Sequence, residues 1–246
     1  MMPWLLGWIW WLVLPVRRKL AVQNHQAAFP ERHAGELRRT VGELAWSYVE
    51  LAAGRRARVE GLEGRSSGAL VLAGHFSGWD LALLSLADHT PVTIFVRQPS
   101  DQLARAVVAR LRTHPDLELL PPRGAMERAY AALAEGRLVL FVQDQRHEPG
   151  IAVPFLGRSA WTSAGFAVAA WRTRAPVFGM VQYRDEDGQH VVHLRPLELD
   201  VPDDRGAAVG MLTAASQQFY EAVIRARPWT WWWLHDRWRR PPDAIG

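Results

Sequence analysis

The sequence predicts a single α/β domain with a largely parallel central sheet flanked by helices. Two short apolar runs, residues 69–73 and 138–142, have the length and composition of strands that are buried on both faces. Such runs alternate with segments in which apolar residues recur at helical spacing, as between residues 31 and 53. The length of 246 residues, with 49% hydrophobic and 22% charged residues, suits one sizeable folded domain.

The same patterns predict the elements in order along the chain. Helices are expected over residues 31–53, 81–87, 101–112, from 124 onward, 162–172 and 207–225. Strands are expected over residues 69–73, 92–96, 138–142, 177–183 and 191–194. A loop ending at Pro154 and Phe155 connects the third strand to the helix at 162. Because strands and helices alternate, the crossovers favour a mostly parallel sheet.

The N-terminus carries an apolar run over residues 3–16, which ends at Arg17, Arg18 and Lys19. A helix of this length extends about 20 Å, whereas a bilayer core is about 30 Å thick. The basic residues follow the run, whereas a secretory signal carries them before it. We expect residues 1–20 to be a membrane anchor lying in one leaflet, with 21–246 as the folded domain on the cytoplasmic side of the inner membrane. A tilted spanning helix is the alternative.

Tryptophan is unusually abundant, with 13 residues that concentrate near the two ends of the chain. Tryptophan prefers the membrane–water interface, where its ring meets apolar groups and its N–H stays hydrated. The pattern therefore predicts that both clusters contact one membrane surface. For the C-terminal cluster, a buried aromatic core is the alternative. The predicted membrane residues include Trp4, Trp8, Trp10, Trp11, Trp232 and Trp233.

A candidate catalytic pair follows the first buried strand, where His75 and Asp80 are five residues apart. If His75 ends the strand and Asp80 lies in the first turn of the next helix, the carboxylate can fold back against the imidazole. That arrangement is a general base with an orienting group, at the sheet edge where α/β folds place their sites. An acidic residue in a first helical turn is also favourable by itself, so a structural role stays open.

Composition narrows the classes of function. The chain has no cysteine, which excludes a disulfide framework, a thiolate metal site and a cysteine nucleophile. A net charge of +4 suits phosphate groups, an anionic membrane or an acidic partner. No nucleic-acid-binding motif accompanies the basic residues, and no metal-ligand spacing is present. Four arginines lie close together in the sequence (Arg105, Arg110, Arg112 and Arg123), and Arg105 and Arg112 share one face of the predicted helix. A basic face there suits a phosphorylated substrate or an acidic carrier protein, although a solvated helix face is equally compatible.

The H-x-x-x-x-D pattern after a buried strand resembles the lysophospholipid acyltransferase superfamily. Three further blocks narrow the resemblance to the late acyltransferases of lipid A biosynthesis and relatives that acylate other glycolipids. In order, these blocks are residues 96–99 (VRQP), residues 143–145 (QDQ) with 153–157 (VPFLG) and Thr162, and residues 233–239 (WLHDRWR). The blocks appear in the family's order over about residues 70 to 240.

The resemblance implies transfer of a fatty acyl group from a thioester donor, acyl carrier protein or acyl-CoA, to a lipid hydroxyl without a cofactor or metal. His75 would deprotonate the acceptor hydroxyl, Asp80 would orient His75, and Asp144 would be a second acidic group at the site. Substrate-binding roles would fall to Arg97, Gln145, Phe155 and Thr162. The second block lacks the usual asparagine–proline pair, so a lipid A precursor, another glycolipid and a lysophospholipid all remain candidate acceptors.

Two alternative hypotheses assign the chain to other classes of protein, a serine hydrolase and a non-catalytic membrane scaffold. Ser77 lies in a strand–turn–helix segment, as the nucleophile of a serine hydrolase would. The nucleophile elbow requires G-x-S-x-G, however, and the order GHFSG at residues 74–78 does not match it. A non-catalytic membrane scaffold would explain the tryptophans but not the ordered blocks.

Overall fold

The computed structural model describes residues 2–64, 67–96, 101–124 and 126–239, and it confirms a single α/β domain with a mostly parallel sheet. The helices are α1 (Met2–Leu12), α2 (Arg18–Ala28), α3 (Leu37–Ala52), α4 (Trp79–Ala87), α5 (Gln102–Leu111), α6 (Met126–Ala134), α7 (Gly165–Thr173) and α8 (Arg205–Ala226). The strands are β1 (Arg58–Glu60), β2 (Ala69–Ala73), β3 (Val92–Phe95), β4 (Leu117–Leu120), β5 (Leu138–Val142), β6 (Ile151–Phe155), β7 (Arg158–Thr162), β8 (Val177–Arg184) and β9 (His190–Pro196). Short 3₁₀ helices occupy Ala34–Glu36 and Pro228–Thr230.

The main sheet has seven strands in the order β1-β9-β8-β2-β5-β3-β4. Strand β2 lies at its centre, parallel to both β5 and β8, while β9 runs antiparallel to β8. Alternate residues of β2 belong to two separate core clusters: Leu70 and Leu72 to one, Val71 and Ala73 to the other. Burial on both faces explains why this strand reads as an unbroken apolar run.

Five elements were not expected from the sequence. The structure adds β1, β4 and α2, and the expected loop at Pro154 and Phe155 is instead the antiparallel hairpin β6–β7. Both residues of its turn, Leu156 and Gly157, have positive φ (49° and 75°). Hairpins of this kind are usually signalled by Asn-Gly or Asp-Gly, and a Leu-Gly turn gives no such signal.

Helix α1 lies against α3 with their backbones in direct contact. A Cβ atom on Gly7 would stand 2.0 Å from the carbonyl oxygen of Arg38, and one on Gly42 would stand 2.0 Å from that of Pro3. Only glycine permits this approach. Among the described residues, no helix is long and apolar enough to cross a membrane.

The C-terminal tryptophans form a buried aromatic core, the alternative that the sequence left open. Trp231, Trp233 and Trp238 are all under 5% exposed, and the rings of Trp231 and Trp233 meet edge to face with centroids 4.7 Å apart. The expected membrane contact of Trp233 is therefore corrected: its indole N–H donates to Pro228 O (2.7 Å) inside the fold. Trp10 is likewise buried, whereas Trp4 is 67% exposed.

Candidate active site

His75 and Asp144 meet at the carboxyl ends of two neighbouring parallel strands. Ala73, the last residue of β2, is paired in register with Val142, the last residue of β5. His75 and Asp144 each follow two residues later, so parallel pairing brings them side by side. The Tyr220 hydroxyl of α8 donates to Ala73 O (2.8 Å) at the same strand end. The site therefore lies where α/β sheets commonly place theirs.

Three hydrogen bonds fix the carboxylate of Asp144 against the imidazole of His75. Oδ1 lies 2.9 Å from His75 Nδ1, while Oδ2 accepts the His75 backbone N–H (2.9 Å) and the Trp231 indole N–H (2.8 Å). Complete burial alone would raise the pKa of Asp144, but the charge and hydrogen bonds of His75 outweigh it and lower that pKa. Asp144 is therefore an ionised, fully buried orienting group.

Asp80 does not contact His75, which differs from the expected pairing. Its Oδ1 accepts from Arg112 Nε (2.6 Å), and its Oδ2 accepts from the Tyr48 hydroxyl (2.8 Å). The chain turns at Gly78, whose φ is 75°, and α4 begins at Trp79. Asp80 consequently lies inside α4's first turn and faces α3 and the end of α5 instead of the strand end.

Trp79 lies between His75 and the Asp80–Arg112 ion pair. Its ring lies against the His75 imidazole, with centroids 5.5 Å apart, and the guanidinium of Arg112 lies 4.7 Å from its ring centre. Asp80 thus holds the Arg112 guanidinium over the ring that packs on His75.

Two cavities open at His75, which lines both of them. The smaller, of about 300 Å³, is mainly apolar and is lined by Thr40, Leu44, Tyr48, His75, Phe76, Ser77, Trp79, Thr230 and Trp232. The larger, of about 450 Å³, is lined by polar and basic groups as well as apolar ones. Its wall includes His75, Arg112, Gln145, Arg146, His147 and His235.

Only some of the predicted substrate-binding residues lie on the wall of the larger cavity. Gln145 and Arg112 line the larger cavity, and Arg123 is an exposed neighbour of Pro122 on its rim. Arg105 is exposed on α5. Arg97 lies outside the described residues.

Phe155 of β6 and Thr162 of β7 line neither cavity, because both side chains are fully buried. They surround Arg237, a fully buried cation of the closing sequence block. Arg237 donates to Thr162 Oγ1 (2.7 Å) and Gln217 Oε1 (3.1 Å), and its guanidinium lies 5.0 Å from the Phe155 ring centre. Burial lowers the pKa of Arg237 to about 10. These contacts join the hairpin, α8 and the C-terminal segment.

Sequence reasoning missed two residues of the site, Trp231 and His235. Trp231 belongs to the C-terminal cluster for which membrane contact was predicted, yet its indole N–H donates to the Asp144 carboxylate. His235 lies on the wall of the larger cavity, and burial lowers its pKa to about 4. For His235, its place in the closing block at residues 233–239 was the available signal, whereas Trp231 lies just before that block and gave none.

The position of Ser77 does not support the serine-hydrolase hypothesis. Ser77 is 3% exposed, and its hydroxyl lies 3.3 Å from Thr230 O, to which it donates. No group of three or more potential ligands that could hold a metal ion occurs in the described part of the chain.

Comparison with known sequences identifies the family. The profile of the family described as bacterial lipid A biosynthesis acyltransferase matches residues 46–240. The chain belongs to this family. As a lipid A biosynthesis acyltransferase family member, the protein transfers an acyl group to a lipid. The match includes His75, Asp144 and the C-terminal block, and it leaves α1 and α2 outside. No curated protein sequence matches the chain significantly.

Proposed function

We propose that the protein transfers a fatty acyl group from an acyl thioester, carried by acyl carrier protein or coenzyme A, to a hydroxyl of a lipid A precursor or a related glycolipid or lysolipid. The observation that carries this proposal is the buried Asp144–His75 pair at the junction of an apolar and a polar cavity. An amphiphilic acceptor and an acyl chain need both kinds of wall beside one base.

His75 acts as the general base through Nε2. Its Nδ1 lies 2.9 Å from the Asp144 carboxylate, so the neutral ring carries its proton on Nδ1 and presents an unprotonated Nε2. The side chain is 31% exposed, enough for a substrate hydroxyl to reach it. When Nε2 takes the hydroxyl proton, Asp144 stabilises the imidazolium. The acceptor oxygen attacks the thioester carbonyl, and the thiolate leaves with the proton from Nε2.

The acyl chain occupies the smaller cavity, where Leu44, Phe76 and Trp232 provide an apolar wall. The polar part of the substrates lies in the larger cavity, near Arg112 and Gln145. Cations there suit a phosphate of the donor or of the acceptor.

The protein works at the cytoplasmic face of the inner membrane, which it contacts through α1. The outer side of α1 carries an exposed apolar surface of Trp4, Leu5, Ile9 and Leu12, continued by Val13, Leu14 and Val16. Arg17 and Lys19 follow at its exposed basic end. An apolar surface flanked by cations is the composition of a helix lying in an interface.

A donor and acceptor panel tests this function. Radiolabelled acyl carrier protein and acyl-CoA donors would be offered with a lipid A precursor, a glycolipid and a lysophospholipid, using His75→Ala as the control. Labelled product with at least one acceptor, absent with His75→Ala, is expected. Release of free fatty acid with no acylated lipid from any acceptor would contradict the proposal. Mass spectrometry of lipids from cells with and without the gene identifies the natural acceptor.

A further inference from the structure

The structure points to His235 as a second catalytic histidine, which we propose donates a hydrogen bond from Nδ1–H to the oxyanion that forms on the thioester carbonyl. This inference rests on the proposed acyl transfer and goes beyond it by assigning the residue that stabilises the transition state. The assignment follows from the contacts of the ring, its place on the cavity wall and the partners of the competing cations.

One nitrogen of the His235 ring is already committed. Nε2 lies 3.1 Å from the backbone nitrogen of Arg146, whose N–H it accepts. A backbone N–H can only donate, so Nε2 carries no proton and the neutral ring must carry it on Nδ1. Burial lowers the pKa of His235 to about 4 despite the opposing charge of Asp144, so the ring stays neutral at physiological pH.

The other nitrogen is available to a substrate. Nδ1 has no hydrogen-bond partner among the described residues, and it is not fully buried. The ring lines the same cavity as His75. A donor with no protein partner, beside a base, is suited to the position where negative charge develops.

The main chain at His235 is held rigidly from several sides. Asn24 of α2 donates from Nδ2 to Trp233 O (3.1 Å) and to His235 O (2.9 Å), and the Arg237 N–H also donates to His235 O (3.0 Å). A donor fixed in advance stabilises a transition state more than a mobile one, because no reorganisation is needed during reaction.

Two cations on the cavity wall are already paired with carboxylates. Arg112 is held by Asp80 (2.6 Å), and the guanidinium of Arg146 is hydrogen bonded to Glu148. In neither guanidinium do these contacts determine which N–H is left for a substrate. In His235, by contrast, the hydrogen bond from Arg146 N–H to Nε2 leaves Nδ1–H as the donor.

The proposed step balances without a further reactant. The acceptor oxygen forms a bond to the carbonyl carbon while its proton passes to His75 Nε2, and the carbonyl π electrons move onto oxygen. That oxygen accepts the hydrogen bond from His235 Nδ1–H, which keeps its proton throughout. The C=O bond then re-forms, the C–S bond breaks, and the thiolate takes the proton from His75.

Two substitutions separate the catalytic role of His235 from a structural one. His235→Gln places an amide oxygen near the position of Nε2, where it can accept the Arg146 N–H, but it removes the donor at Nδ1. His235→Asn places an amide nitrogen near the position of Nδ1, so it retains a donor but loses the acceptor. His89→Gln, an exposed histidine at the end of α4, serves as the matched control.

The measurement is steady-state acyl transfer, with kcat and KM determined separately and thermal unfolding recorded for each variant. We expect His235→Gln to lose about 10²–10³ in kcat at little changed KM, as removal of an oxyanion donor does. His235→Asn should stay within about tenfold of the wild type, and His89→Gln should match it.

The proposal is overturned if His235→Gln keeps the wild-type kcat while His235→Asn loses it. That result would show that only the hydrogen bond with the Arg146 N–H matters. Equal losses in both variants, or none in either, overturn it as well. Failure of the proposed function itself looks different: the wild type would then acylate no lipid, or His75→Ala would equal the wild type.

Discussion

At the scale of residues, the site is organised around one fully buried carboxylate. Asp144 accepts hydrogen bonds from three groups on two segments, His75 and Trp231. A carboxylate is costly to bury unless both of its oxygens are hydrogen bonded. Here one of those hydrogen bonds also fixes the orientation of the His75 imidazole. The same carboxylate therefore ties the C-terminal block to the strand that carries the base.

Asp80 belongs to a second network with a different task. We expect Asp80→Ala and Arg112→Ala each to lower the free energy of unfolding by about 3–5 kcal/mol, because each leaves a mostly buried charge without its partner. The double variant should lose clearly less than the sum of the two. Urea unfolding of the four proteins measures this coupling. Additive losses would show that the ion pair at 2.6 Å contributes nothing to the fold.

Sequence reasoning located His75 and Asp144 but assigned the wrong partner to the base. Asp80 was attractive because it is near in sequence, whereas Asp144 lies 69 residues away. Their proximity depends on β2 and β5 being adjacent strands, and strand order cannot be read from residue spacing. The sequence showed which buried strands are followed by a histidine or an aspartate. It did not show which two of these strands are neighbours in the sheet.

At the scale of elements, α1 is held on α3 by glycine. We expect Gly42→Ala to push α1 away, since its Cβ would stand 2.0 Å from Pro3 O, a backbone atom that cannot turn aside. The measurements are thermal unfolding and the rate of trypsin cleavage in residues 17–19, and the variant should be less stable and cut faster. Gly210→Ala in α8 is the matched control, because its Cβ meets nothing within 4 Å. There, alanine should stabilise the helix by up to about 1 kcal/mol. Equal behaviour of the two variants would contradict the close helix contact.

Elements were predicted well where burial is complete and poorly where it is partial. Strands β2 and β5 match their predicted bounds because buried apolar runs are unambiguous. Strand β4, at the edge of the sheet, reads Leu-Glu-Leu-Leu and gives no comparable run. Helix α2 was missed because its apolar residues are few, although its Asn24 supports the C-terminal block.

At the scale of the whole molecule, the buried His190 and the partly buried His235 make stability depend on pH. Burial lowers the pKa of His190 and of His235 to about 4, against about 6.5 for an unfolded chain. Between these values the unfolded state binds protons that the folded state does not, so stability is full above pH 6.5 and falls as pH decreases toward 4. Each group contributes a slope of about 1.4 kcal/mol per pH unit.

His190→Gln should reduce that slope by the contribution of one group. Urea unfolding at several pH values between 7 and 5 measures it, with His89→Gln as the exposed control. An unchanged slope in His190→Gln would show that His190 is protonated in the folded protein.

The proposed membrane contact also concerns the molecule as a whole. Each basic residue near an anionic surface contributes about 1 kcal/mol and is screened by salt, whereas each large apolar side chain contributes about 1.5–3 kcal/mol when buried. We therefore expect the protein to stay on anionic vesicles in high salt. Substituting Gln at Trp4, Leu5, Ile9 and Leu12 should release it, and Met211→Gln, an exposed apolar site on α8, should not. Vesicle sedimentation measures both. Release of the wild type by moderate salt would contradict the apolar contact.

The rate of acyl transfer from a labelled thioester to a lipid hydroxyl tests the central claim most directly, measured for the wild type, His75→Ala and Asp144→Asn. His75→Ala removes the base. Asp144→Asn replaces the hydrogen-bond acceptor at Nδ1 with an amide that can hold the wrong tautomer and cannot stabilise an imidazolium. Both folded variants should lose on the order of 10²–10⁴ in kcat with KM little changed. Transfer at nearly the wild-type rate by either folded variant would contradict the Asp144–His75 mechanism.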